Sequence, residues 1–304
     1  MILCVGLAAD PTFTAGVRAL RRAGARFRSV DLPSLAMRGG IRVCLESPDD
    51  TTLSVAGEQH RLGDFSAVWC RLVDVSPAAP AAHLAATAAG QTEALARILE
   101  AFPRRVMNPP LREASGFTKV LHAVSLGGIG GWRIPGTCLT SDPAEASRFV
   151  RSCRDGAIFK GASAVKTWAT AYTDDHERLL PRLRRLPVLF QERVVGPDVR
   201  IHVVGDRCFG ELIDSPVLDY RTVRGVNDYR RLVPPRDIAE GCARLTEHCA
   251  VPLLGVDFKI DRRTGTWFFL EANSMPCFEG YDERADGAIS RAIVDWLETT
   301  PVPR

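Results

Sequence analysis

Two strongly apolar stretches near the end of the 304-residue chain, GVDFKID (255–261) and WFFLEAN (267–273), carry carboxylates that a buried hairpin would not tolerate unpaired. If Arg262–Thr266 form the loop, Asp261 faces Trp267. Counting back four residues on each strand then sets Asp257 opposite Glu271, with Cβ atoms about 5 Å apart. Asn273 lies two residues further on and shares that face. Two carboxylates and an amide oxygen converging in an apolar setting repel one another unless a cation neutralises them. Hard oxygen donors of this kind suit Mg2+, with nucleotide phosphates completing the octahedron. The pattern by itself leaves open a pair of exposed carboxylates on a sheet edge.

A second feature bears on the same chemistry. Of 39 basic residues only four are lysines, Lys119, Lys160, Lys166 and Lys259. A chain so biased toward arginine has few places where it uses a compact ammonium, and the planar guanidinium does not replace it where a point charge must fit beside phosphate oxygens. Lys160 ends an apolar strand just before the small-residue turn Gly161-Ala162-Ser163, from which Ser163 and the lysine can reach phosphates. Lys119 sits within an expected helix, Glu113–Leu126.

Residues 1–110 read as an α/β unit. Strands are expected at Ile2–Leu7, Arg26–Leu32 and Ala67–Leu72, with helices at 14–23 and His83–Phe102, and alternation of this kind predicts a small parallel sheet. Pro103, Pro109 and Pro110 punctuate a linker. The glycines at 127, 128, 130 and 131 lack the lysine of a phosphate-binding loop and read as a helix stop and turn. A strand at Ile134–Leu139 precedes a helix starting from Asp142, with Pro143 at its first position and Glu145 at its third. From Ala157 the pattern is mostly β: Ala157–Lys160, Val165–Thr173, Val188–Val194, Val199–Val204 and Arg207–Ser215, with Gly205-Asp206 as a hairpin turn. Helices are expected at Arg236–Cys249 and Ala285–Thr299.

The strand LFQERVV offers edge backbone groups at Gln191, Glu192 and Val194 to a planar base. Gly196-Pro197 then turns the chain, placing Asp198 to accept from ribose hydroxyls. Arg200 alternates with the core-facing Ile201.

Composition excludes several partners. A net charge of +3 is too small for a polyanion such as duplex DNA or for a membrane surface, so neither nucleic acid nor membrane is expected. The first apolar run stops at Asp10, too short for a secretion signal or a span. Nine cysteines without a C-x-x-C pair read as reduced thiols, and Cys242 and Cys249 as buried ones beside His248. A cytoplasmic protein is expected. Nothing marks an interface, which leaves a homodimer open.

Eight pieces in order and spacing resemble the ATP-grasp superfamily, and most of all its RimK-like amino-acid and peptide ligases: VWCR, Asn108-Pro-Pro through Lys119, IPGTCLT, AIFKG, FQERVVGPDVRIHVVG, LDYR, LGVDFKID and FLEANSMPCFEG. VWCR and LDYR also look like the peptide-cross-linking graspetide synthetases. The sequence departs in having Lys160-Gly161 rather than Lys-Pro, a glycine-poor GASAVKTWA turn, and one arginine in VWCR. The resemblance implies an α/β fold, with α+β ATP-binding lobes behind an N-terminal α/β domain at 1–107, a central lobe at 108–187 and a C-terminal lobe at 188–304 carrying the metal site. It implies ATP held between two lobes. Lys119 and Lys160 would lie on phosphates, Gln191–Val194 would form the adenine hinge and Asp198 would bind ribose. Asp257, Glu271 and Asn273 would hold two Mg2+ ions, for which Mn2+ is a substitute. The activity implied is ATP-dependent carboxylate–amine ligation through an acylphosphate, on a small-molecule or peptide carboxylate and amine. Arg200 and Arg221 would stabilise the developing negative charge. A ribosomal-peptide cross-linking ligase and an ATP-grasp kinase are the alternatives.

Overall fold

The computed structural model of the protein describes residues 1–102, 104–114, 125–161, 168–223 and 225–299. It divides into two compact units. One is Met1–Ser115 with Thr246–Leu254 and Ser274–Arg304; the other is Gly116–Leu245 with Gly255–Asn273.

Seven strands belong to the first unit: β1 (Ile2–Gly6), β2 (Phe27–Asp31), β3 (Gly40–Arg42), β4 (Thr52–Val55), β5 (Glu58–Arg61), β6 (Ala67–Arg71) and β7 (Arg105–Met107). Four of them form a parallel sheet in the order β2-β1-β6-β7; β1, β2 and β6 are the strands expected from the alternation, and β7 is an addition that lies in the stretch read as a linker. Its central strands β1 and β6 are buried at every position, which is why β1 and the first four residues of β6 read as apolar runs, while the buried Arg71 that ends β6 is paired with Asp10 at 2.7 Å. The helix Pro11–Arg22 starts on Asp10, whose carboxylate accepts from the Thr12 amide at 2.9 Å. Leu95 and Leu99 of the helix Ala82–Ala101 join Leu3, Val5 and Val68 in the core.

Two further features of this unit were not expected. The helix Leu32–Arg38, capped by Asp31, continues directly from a strand without a polar break. The antiparallel sheet β3-β4-β5 turns on Ala56 and Gly57, both in the left-handed region, and β5 (EQHR) contains no apolar residue to signal a strand. The single helix expected at Ala285–Thr299 is instead a short one at Glu279–Arg284 and another at Ala288–Glu298. Asp286 and Gly287, at φ 52° and 77°, end the first and start the second.

The second unit contains two sheets. Strands β8 (Thr137–Thr140), β9 (Ala157–Gly161), β10 (Thr170–Ala171) and β11 (Val188–Glu192) form an antiparallel sheet in the order β10-β9-β11-β8. The helix Pro143–Ser152 packs on it through Ala146 and begins on the expected cap, Asp142. Glu145 accepts the Thr140 hydroxyl at 2.5 Å. The strand expected over Val165–Thr173 is reduced to β10, and residues 162–167 lie outside the described part. Of the helix expected at Glu113–Leu126, a short helix at Pro110–Ala114 covers the start, and 115–124 lie outside.

The other sheet comprises β12 (Asp198–Val204), β13 (Arg207–Asp214), β14 (Asp228–Leu232), β15 (Leu253–Ile260) and β16 (Trp267–Asn273), in the order β14-β13-β12-β15-β16. The β12–β13 turn places Gly205 at φ 62°. Trp132 is the centre of this sheet's core, stacked on Phe269 at 5.5 Å and edge-on to Phe258 at 5.2 Å. A side chain at Gly130 or Gly241 would run into its ring, so the glycine cluster serves to seat a tryptophan. Among the described residues no helix is long and apolar enough to cross a membrane.

Candidate functional site

β15 and β16 pair antiparallel with Asp257 opposite Glu271, as the hairpin reading expects, but by a different route. The loop has six residues rather than five, because Ile260, not Asp261, faces Trp267. A bulge at Leu270 restores the pairing: Phe258 opposes Phe269, and Asp257 opposes Glu271. The bulge has a purpose that the packing explains. Phe269 is 1% exposed against Trp132, and two residues later Glu271 would point the same way on a regular strand. The extra residue lets Phe269 enter the core while Glu271 joins Asp257 on the other face.

That face is strongly charged. Arg200 on β12 donates through Nη1 to both carboxylate oxygens of Asp257 at 2.8 Å, with side chains 8% and 21% exposed. Burial raises the Asp257 pKa above the usual carboxylate range; Arg200 works against this and Glu271 adds to it. Two residues away on each strand, Lys259 donates to Asp198 Oδ2 at 3.0 Å and to the Gly196 carbonyl at 3.0 Å. Burial pushes Asp198 up to about 6 against the pull of Lys259, with Asp257 and Asp219 adding their repulsion. Asn273, opposite Gly255, lies exposed at the end of β16.

Arg221 lies on the turn Tyr220–Thr222 and grips Asp219 with two bonds, Nε–Oδ1 at 2.8 Å and Nη2–Oδ2 at 2.7 Å. Burial works against the Asp219 carboxylate, yet Arg221 holds it below the ordinary range. The charges of Glu271 and Asp257 reach Arg221 as well. Its guanidinium also lies over the Trp168 ring, 5.3 Å from the centroid, and the Ala169 amide bonds Asp219. Trp168 and Ala169 arrive from the β9–β10 connection, so this turn ties the two sheets of the second unit together.

The smaller sheet contributes Lys160 and the segment expected as the hinge, but its strand β11 lies between β9 and β8, so Gln191 does not stand on a sheet edge as the sequence reading expects. Lys160 Nζ donates to Gln191 Oε1 at 3.3 Å, and Gln191 Nε2 donates to Thr137 Oγ1 at 3.2 Å, which buries the glutamine in the sheet. Gln191 is thus engaged through its side chain. Glu192 and Arg193 spend their amides on the Gly136 and Gly156 carbonyls, at 2.8 and 3.0 Å, and Glu192 Oε2 accepts from the Gly136 amide. Among the described residues no hydrogen bond uses the amide of the buried Val194. The next residues are fastened to the end of β15 and the loop after it: Arg262 donates to the Val195 carbonyl and Ile260 to that of Pro197. A Cβ at Gly196 would meet the Ile260 carbonyl oxygen, so only glycine fits there.

The structure therefore brings Arg200, Arg221, Asp198, Asp257 and Glu271 into one charged neighbourhood, with Lys160 and Gln191 joined to each other on the smaller sheet. Lys119 and Ser163 lie outside the described residues. Sequence reasoning gave no task to Lys259, Asp219 or Trp168. The scarcity of lysine was a signal for the first; Trp168 fell in a stretch read as a strand, and Asp219 in the LDYR piece whose role went to its neighbour Arg221.

No group of three or more His, Cys, Asp and Glu among the described residues could hold a metal by itself. Asp257, Glu271 and Asn273 offer only hard oxygen donors, and the mutual repulsion of the two carboxylates is what a divalent cation relieves. Their oxygen donors fit a hard divalent cation such as Mg2+. The nine cysteines are all free, and Cys242 is buried.

No protein-family model matches the sequence, and no curated protein matches it. Solved structures do. Macrocyclase MdnC of Microcystis aeruginosa, bound with precursor peptide MdnA, aligns over 98% of this chain and 99% of its own at TM-score 0.82 and 18% identity. A Chryseobacterium gregarium RiPP-associated ATP-grasp ligase, in complex with ADP and a leader and core peptide, aligns over 97% and 96% at TM-score 0.81 and 20% identity. ATP-grasp ligase PsnB, complexed with a phosphomimetic variant of its minimal precursor, Mg and ADP, aligns over 98% of both chains at TM-score 0.80 and 21% identity. The chain has the ATP-grasp fold.

Proposed function

We propose that the protein is an ATP-dependent peptide ligase, which activates a carboxylate by phosphorylation and joins it to an amine or hydroxyl of the same peptide. The observation that carries this reading is the Asp257–Glu271 pair facing Arg200 across one sheet, in a chain whose structural neighbours include ligases complexed with ADP and Mg. Likeness over nearly the whole length of ligases complexed with precursor peptides favours a peptide over a free amino acid.

In this reading the nucleotide lies between the two sheets of the second unit. Asp257, Glu271 and Asn273 hold Mg2+, which when bound neutralises phosphate charge. Lys160 lies on the phosphates, helped by Lys119 and Ser163. The Glu192–Val194 backbone meets the adenine, and Asp198 accepts from the ribose. Attack by the substrate carboxylate on the terminal phosphorus gives ADP and an acylphosphate. The nucleophile then expels phosphate, forming the amide or ester. Arg200 and Arg221 face the negative charge that gathers on the acyl group, and their anchors Asp257 and Asp219 preorganise them for it.

The test is to incubate the protein with ATP, Mg2+ and the short peptides encoded beside it. ADP should appear, and one peptide should lose the mass of a water for each bond made. ADP accompanied by a stable phosphorylated product would instead make it a kinase, and no ADP with any peptide would sink the peptide reading.

A further inference from the structure

Of the two lysines among the described residues, Lys160 has a task in the reading above and Lys259 has none. Its surroundings are those of a built site. The side chain is 14% exposed, and the ammonium spends two of its three N–H groups at 3.0 Å each, on the Gly196 carbonyl and on Asp198 Oδ2. Burying an ammonium in this way is costly unless its partners are fixed. In a chain with 35 arginines, the cation set between this carboxylate and this backbone carbonyl is one of four lysines.

Placement adds the rest. Asp198 and Arg200 lie two apart on β12, and Asp257 and Lys259 two apart on the neighbouring β15, so the four share a face. They form two ion pairs of opposite sense, Arg200–Asp257 and Asp198–Lys259, separated by about 7 Å of strand. The first belongs to the end of the site with the paired carboxylates. The second belongs to the end with the hinge, because Lys259 also holds Gly196. A nucleotide laid from hinge to carboxylates brings its sugar over the second pair. Lys259 occupies Oδ2 of Asp198, and among the described residues no hydrogen bond engages Oδ1.

We propose that Lys259 is a positioning residue for the nucleotide sugar: it aims Asp198 Oδ1 at the ribose hydroxyls and fixes that acceptor to the adenine hinge through the Gly196 carbonyl. This rests on the ATP reading above and deepens it by naming the residue that sets ribose recognition.

The experiment compares binding of ATP and 2′,3′-dideoxy-ATP to the full chain by calorimetry in the presence of Mg2+. The wild type should prefer ATP by about tenfold, the worth of a hydrogen bond to a charged acceptor. In Lys259→Met the preference should fall to about one, as it should in Asp198→Ala. The double variant should be no worse than either single change, because both remove the same contact. A Lys259→Met protein that keeps the preference, or weakens both nucleotides equally, would show a clamp with no role in recognition and overturn the proposal. Should Lys259→Met fail to fold, Lys259→Ala, which likewise leaves Asp198 without its donor, is read in the same way. A wild type that binds ATP without preferring it defeats the ribose assignment alone, whereas one that binds neither nucleotide defeats the ATP reading too.

Discussion

Neutralising the two facing carboxylates one at a time should separate a structural role from a chemical one. Asp257 holds both. It is the partner of Arg200, whose side chain is only 8% exposed, and both oxygens lie 2.8 Å from Nη1. Removing one member of a buried pair costs about 3–5 kcal/mol, because the other charge is stranded. An asparagine keeps one acceptor oxygen, so about half of that, roughly 2 kcal/mol, is the expected loss in Asp257→Asn. For a unit of this size the melting temperature should fall by about 4–8 °C. Glu271 is half-exposed and carries no such partner at hydrogen-bond distance among the described residues. Glu271→Gln should therefore cost under about 1 kcal/mol. Both variants should nevertheless lose more than about 100-fold in ADP formation, since each removes a donor from the cation site. Thermal melts with and without Mg2+ and nucleotide, run beside an ADP-release assay, read both effects. The wild type should gain stability on adding the two together, and neither variant should. Wild-type turnover in Glu271→Gln would refute the metal assignment. A melting drop in Glu271→Gln as large as that in Asp257→Asn would refute the division of roles.

Three further outcomes are expected. Lys160→Arg and Lys160→Met should both lose most of the ADP-forming activity, the arginine because its fork does not fit where a point charge meets phosphate oxygens; full activity in Lys160→Arg would show that any cation suffices. Gly196→Ala places a methyl against the Ile260 carbonyl oxygen, and should cost about 1–3 kcal/mol in a urea melt and weaken ATP binding as the hinge shifts. Asp198, pushed up to about 6 from 3.8, binds more protons folded than unfolded between those values, so its contribution lowers stability as pH rises through that window. The shift of about two units sets an upper scale of roughly 3 kcal/mol, and urea midpoints at pH 4.5 and 7.5 should diverge less in Asp198→Asn than in the wild type.

What could be read beforehand, and what could not, follows from where each signal resides. β1 and β6 were legible because strands buried on both faces are apolar along most of their length, and the helix at Arg236–Cys249 because its buried stripe recurs at helical spacing. β5 was illegible because a small exposed strand made of Glu, Gln, His and Arg is specified by its turn and its neighbour, not by its own composition. Ala285–Thr299 read as one helix because Asp286 and Gly287 break it through backbone dihedrals, and the apolar pattern beyond continues in the same period. The acidic pair is the instructive case. Counting from the loop reached Asp257 opposite Glu271 with a loop one residue too short, and Leu270 supplied the compensating residue. That agreement was not luck of arithmetic alone. Phe269 must face Trp132 and Glu271 must join Asp257 towards Arg221, and on a regular strand residues two apart cannot face opposite ways. The two demands are visible in the sequence as an aromatic and an acid at the wrong spacing for one strand. A bulge between them is the local solution that satisfies both, and a variant lacking Leu270 should therefore lose either the core or the proposed cation site.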